Sequence, residues 1–148
     1  SINFDSVVIA DFDESLKSVA TSLLYTDISS KRAAYITLNQ WFDNTLLKET
    51  SLHPIYFPSI NKENYEEFKN NFLNIYDSKS NQLSFLSYDL VGLIYFLFYE
   101  NNFKISKKIF YKKNKFKGKI GIFEINKNII THKLNFYSIN NNQFKKIF

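Results

Sequence analysis

The stretch FDSVVIADFDESLKSVATSLLYTDISSKRAAYITL, Phe4 to Leu38, decides the fold, because it reads as a strand, an amphipathic helix and a second strand. Val7, Val8, Ile9 and Ala10 form a continuous apolar run, the pattern of a strand covered on both faces by helices. Asp11 and Glu14 have capping-box spacing, which places Asp11 at the N-cap of a helix over Phe12 to Leu24. Leu16, Val19, Ala20, Leu23 and Leu24 then line one helical face. After the polar turn Thr26 to Arg32, the run Ala33 to Leu38 reads as the next strand, and a right-handed crossover makes it parallel to the first. The expected class is therefore α/β with a parallel core.

Downstream of this unit, Asn39, Gln40 and Trp41 stand where the second strand ends, and Phe42 to Glu49 is polar enough for a loop with at most one short helical turn. His53 to Ile60 carries Pro54 and Pro58, so it can be a strand only at an edge or a crossover. Asn61 is a natural N-cap for a helix whose apolar face is Tyr65, Phe68, Phe72, Ile75 and Tyr76. The polar turn Asp77 to Gln82 ends it. Leu83 to Tyr99 is the most apolar stretch, and its length approaches that of a membrane span. Asp89 near its centre argues instead for a buried helix between a sheet and another layer. Asn101 to Lys119 interleaves lysines with Phe103, Ile105, Ile109, Phe110, Tyr111 and Phe116, with a short helix around Ser106 to Lys112. Gly121 to Ile125 and Ile129 to Ile139 read as a hairpin across Asn126, Lys127 and Asn128, with Phe144 to Phe148 completing a small antiparallel ribbon.

By length the 148 residues suit one domain, and 45% apolar with 18% aromatic residues can furnish a core. With no cysteine there is neither a disulfide framework nor a thiolate metal site. Ser1 to Asp5 show no signal-peptide pattern, so any export signal lies outside this sequence. The net charge of +5 is unevenly spread: residues 1–100 hold 7 basic and 13 acidic side chains, whereas 101–148 hold 12 lysines and one acid. Such a block suits nucleic acid, an anionic membrane or an anionic wall polymer, and also a plain solvated face. Lysines interleaved with aromatics can bind single strands, but residues 101–148 contain no arginine and no RNP-like signature, which favours a surface loop and no nucleic-acid partner.

Gly92, Gly118 and Gly121 form neither a dinucleotide fingerprint nor a phosphate loop. His53 and His132 stand in no zinc motif, and the acids Asp11, Asp13 and Glu14 are explained by helix capping. No serine occupies a nucleophile elbow. An enzyme is not expected, nor a cofactor or a metal.

The ordered set of elements resembles the C-terminal part of the type I periplasmic binding proteins, in the leucine/isoleucine/valine-binding-like branch. FDSVVIADFDESLKSVATSLL is similar to the strand and helix of that family's second lobe, and AAYITLNQWFD to the next strand. HPIYFPSINKENYEEFKNNFLNIY is similar to the crossover strand and its helix, and LSYDLVGLIYFLF to an apolar helix bearing a Tyr-Asp pair, here Tyr88 and Asp89. FKGKIGIFEINKNIITHKLNFYSINNNQFKKI resembles the closing hairpin, with Lys127 and Asn128 where the family often has a glycine turn. The resemblance implies a Rossmann-like parallel sheet portion with a C-terminal antiparallel hairpin. Residues 1–57 would hold second-lobe strands and helix, 58–148 the crossover helices and hairpin. It also implies a longer protein of which this chain is part, with a non-catalytic interlobe cleft.

On that resemblance Asp11, Phe12, Asn39, Gln40 and Trp41 line the cleft. In amino-acid-binding relatives an acid after the second strand receives the ligand ammonium; here the position falls on Asn39 or Gln40. The expected ligand is therefore a neutral polar or aromatic molecule. The family further implies an envelope or periplasmic location and an ABC permease as partner. A second branch of the resemblance, the lipoprotein activators of penicillin-binding proteins, implies a peptidoglycan synthase contact through Lys107, Lys108, Lys112 and Lys113.

Overall fold

The computed structural model describes residues 3–38, 41–104 and 106–148. In chain order the elements are β1 (Ser6–Ile9), α1 (Asp13–Leu24), β2 (Ala34–Thr37), β3 (Ile55–Ser59), α2 (Lys62–Tyr76), α3 (Gln82–Glu100), β4 (Asn114–Lys117), β5 (Ile122–Asn126), β6 (Ile129–Lys133), β7 (Asn135–Asn140) and β8 (Gln143–Lys146). Short 3-10 helices cover Asn44–Lys48, Thr50–Leu52 and Lys107–Phe110. The chain forms two units, Ser1–Ser59 with Asn135–Phe148, and Ile60–Leu134.

The first unit is a five-stranded sheet in the order β1-β2-β3-β7-β8. β1 and β2 run parallel, from Ser6 opposite Ala34 to Ile9 opposite Thr37, as the strand–helix–strand reading requires. β3 continues the parallel run, while β7 and β8 are antiparallel. α1 seats itself through Leu16 and Ala20, both buried at helical spacing. Tyr35, Ile55, Phe57, Tyr137 and Ile139 are buried with them.

Three expectations in this unit are corrected. β1 is not covered on both faces: it is an edge strand, and Val8 is 65% exposed. A continuous apolar run reports which residues tolerate burial, not which neighbours are present to bury them. The capping box is not formed either. α1 begins at Asp13 with extended Phe12 at its N-cap and no side-chain cap; Asp11 Oδ1 instead accepts the adjacent amide of Phe12 at 2.9 Å. Asp13 and Glu14 remain in the first turn, where the helix dipole favours acids. Finally, β3 is the central strand despite its proline. Its parallel pairing to β2 ends at Tyr56, so Pro58 removes no donor from that side, and Pro58 lies opposite Phe136 on the other.

The run Ile129 to Ile139, which reads as one strand, is two. β6 belongs to the second unit's three-stranded antiparallel sheet, β4-β5-β6, and β7 to the first unit's sheet, with Leu134 between them. The terminal strand accordingly extends the larger sheet through β7 and does not join the β5–β6 hairpin. Both hairpins close through two-residue turns in which each residue has positive φ: Lys127 and Asn128 at 50° and 63°, Asn141 and Asn142 at 50° and 59°. This matches the right-handed twist of the flanking strands, with asparagine at three of the four positions and Lys127 at the fourth where glycine is missing.

In the second unit α2 starts as read, with the Asn61 side chain accepting from Asn64 N at 2.8 Å. Asn81 and Ser84 form a reciprocal capping box at the start of α3. The two helices meet through aromatic rings: Phe85 lies 4.0 Å from Phe68 and 5.0 Å from Tyr65, centroid to centroid. α3 is not the buried helix its composition suggests. It seats one stripe, Phe85, Asp89, Leu93 and Leu97, spaced four apart, while Leu83, Leu86, Leu90, Val91 and Ile94 are exposed. The helix is long and apolar enough to cross a membrane by length and composition, with 22% of that window buried. Leu93 and Leu97 pack with Ile109 and Ile125 into the unit's core.

The two glycines of the loop before β5 have separate causes, and Asp89 explains the first. Only 3% exposed, its carboxylate accepts from Lys119 N and Ile120 N, each at 2.8 Å. A Cβ on Gly118 would stand 2.1 Å from Asp89 Oδ2, so only glycine admits the carboxylate. Gly121 has φ +146° and approaches His132, whose Nε2 bonds Ile120 O at 3.2 Å while its ring stacks on Phe123 at 4.4 Å. Burial lowers the His132 pKa below its ordinary value, against the opposing effects of the Ile120 carbonyl and Asp89.

Candidate functional site

The parallel register places the C-terminal ends of β1 and β2 side by side, since Ile9 faces Thr37. The loops that follow them therefore leave the sheet at the same end, which is where open α/β sheets bind ligands. Asp11 and Phe12 form the first loop. Phe12 is extended and exposed, and Asp11 is half-buried against its neighbour's amide.

Asn39 and Gln40 lie outside the described residues. Trp41 opens the described part of the second loop, half-buried and with φ 48°. Its position follows from the next two residues. Phe42 is buried, with its ring edge-on to Tyr137 at 4.9 Å, Phe144 at 5.4 Å and Phe57 at 6.0 Å. Asp43 Oδ1 accepts from Thr45 N at 2.8 Å and caps the following 3-10 turn. The loop is thus pinned by an aromatic plug behind Trp41 and a cap ahead of it. Sequence reading singled out Trp41 and missed Phe42; a large apolar residue directly after the polar tripeptide was the available signal.

The four lysines assigned to partner contact belong to the second unit. Lys107 and Lys108 lie on the short 3-10 helix, Lys112 and Lys113 just before β4, and all are exposed. The same unit has an apolar groove of about 920 Å3 between α2 and α3, walled by Phe72, Ile75, Tyr76, Tyr88, Val91 and Tyr95. None of the expected ligand residues lines it. Among the described residues no three acids or histidines are grouped to hold a metal ion.

No protein-family model and no curated protein matches this sequence. Among solved structures the chain is similar to an extracellular ligand binding receptor from Desulfohalobium retbaense DSM5692, with a TM-score of 0.64 and 17% identity. The match covers 96% of this chain and 26% of that one, so the chain spans about a quarter of the receptor's length. At this identity the likeness shows the fold alone: an α/β arrangement with a mostly parallel sheet, the class expected from the ordered elements in the sequence.

Proposed function

We propose that this chain is part of a non-catalytic, extracytoplasmic ligand-binding module of the type I periplasmic-binding-protein kind. Its ligand sits against the loops after β1 and β2, on Asp11, Phe12 and Trp41 together with Asn39 and Gln40. The observation that carries this reading is the parallel register of Ile9 with Thr37, which brings both loops to one end of a sheet similar in fold to part of an extracellular ligand binding receptor. The ligand is a neutral polar or aromatic molecule. The loop residues named after β2 include amides and an indole but no acid, and a desolvated ammonium needs a charge-assisted partner there. Trp41 offers a flat face to a sugar or an aromatic ring.

Trp41 is the sole tryptophan, so its emission reports on this loop without labelling. Titration with neutral sugars, nucleosides and aromatic compounds should shift that emission for one class and raise the melting temperature with it. A ligand at 100 times its dissociation constant stabilises by about 2.7 kcal/mol. Phe12→Ala should weaken the response. A strong upward shift with leucine, abolished by Asn39→Ala, would overturn the assignment of ligand class.

A further inference from the structure

We propose that the tip of the second unit, formed by the 3-10 helix Lys107–Phe110 and the β5–β6 turn, docks on an anionic lipid surface. The two segments are joined through the backbone: Lys127 N donates to Tyr111 O at 3.4 Å and Asn128 N to Phe110 O at 3.2 Å. Lys127 thereby joins Lys107, Lys108, Lys112 and Lys113 in one cluster. All five are exposed, and none is in an ion pair among the described residues. The single acid of residues 101–148, Glu124, faces Lys115 at 3.9 Å instead.

Charge alone would suit any polyanion; the apolar residues in the same tip select among them. Ile129 is 65% and Ile130 55% exposed, directly after the turn, and Tyr111 is 57% exposed beside it. Ile109, the neighbour of Phe110, is buried in the core with Ile125, so the tip is anchored from beneath while its apolar and basic side chains remain outside. Aliphatic side chains cannot stack on bases, and this region has no arginine to read phosphate or guanine bidentately. They can enter the boundary between headgroups and acyl chains. Tyrosine favours that boundary, and lysine stems lie along apolar surface while their ammonium groups reach lipid phosphate. This inference is independent of the ligand site proposed above.

The test is co-sedimentation of the protein with vesicles of phosphatidylcholine containing about one-third phosphatidylglycerol, against pure phosphatidylcholine. Binding is expected to the first and not the second. Replacing Lys107, Lys108, Lys112 and Lys113 by Gln should weaken it at least ~100-fold, and Ile129→Asn with Ile130→Asn should weaken it ~10-fold at unchanged charge. Circular dichroism checks that both variants fold; Tyr111→Ser replaces the isoleucine pair should that pair fail. Equal binding to neutral vesicles overturns the proposal. So does full retention of binding in the isoleucine variant together with competition by a single-stranded oligonucleotide, which would mark a general polyanion surface.

Discussion

Gly118→Ala is expected to be among the most damaging single-methyl substitutions in this protein, and the structure gives the size of the effect. The added Cβ would stand 2.1 Å from Asp89 Oδ2, 2.5 Å from Cγ and 2.8 Å from Oδ1. Relief needs a retreat of about 1 Å or more, because non-bonded heavy atoms rest at roughly 3.5 Å. Such a retreat stretches the two 2.8 Å bonds from Lys119 N and Ile120 N beyond hydrogen-bond length. Hydrogen bonds to a charged group contribute about 1.5–3 kcal/mol each. With both lost from a buried carboxylate, the variant should be destabilised by about 3 kcal/mol or more. Urea denaturation followed by far-UV circular dichroism measures it, with Asp89→Ala as the second arm of a double-mutant cycle. Asp89→Ala alone should cost a similar amount. In that background Gly118→Ala meets no carboxylate and, since Gly118 is not left-handed, should be neutral or slightly stabilising. A coupling energy of about 3 kcal/mol or more follows. If Gly118→Ala costs as much without the Asp89 side chain as with it, the close approach is not the cause and the reasoning fails.

Three other outcomes are expected. Phe42→Ala removes the ring that packs on Tyr137, Phe144 and Phe57, which should cost about 3–5 kcal/mol and red-shift Trp41 emission as the loop loosens; unchanged emission would detach Trp41 from that plug. His132 has its pKa lowered by burial, so the unfolded chain binds the proton more readily below about pH 6.5. Stability should therefore be full above that pH and decline as pH falls towards the depressed folded value, and His132→Phe should flatten this part of the stability profile. Gly121→Ala combines φ +146° with a Cβ 2.6 Å from His132 Nε2, and should lower the melting temperature even when His132 is replaced, because the backbone strain is independent of the ring.

The larger sheet's parallel start was readable because the strand–helix–strand stretch is local and periodic: apolar run, helical stripe, apolar run. What escaped were features fixed by distant partners. Nothing within Ile129 to Ile139 marks Leu134 as the boundary between two sheets, since both halves have the same composition. The exposure of Val8 and of Leu90 and Val91 on α3 depends on what lies against them, which apolar character does not specify. Asp89 was legible as a charge that disfavours a membrane span, but its partners are backbone amides thirty residues on, and amides leave no mark in a sequence. At the candidate site, strand ends pointed to Asp11, Phe12 and Trp41, while the support from Phe42 comes from rings on β3, β7 and β8.

The split of one apolar run between two sheets has a consequence for biosynthesis. β3 is complete at Ser59, yet its antiparallel neighbour begins at Asn135, so the whole of Ile60–Leu134 must be translated in between. At about 5–20 residues per second, the newly made strand waits roughly 4–15 s with one edge unpaired. Ile55 and Phe57, both fully buried in the finished protein, stand beside that open edge during the delay. Between the emergence of β3 and that of β7 the nascent chain thus presents an open strand edge able to pair with another chain.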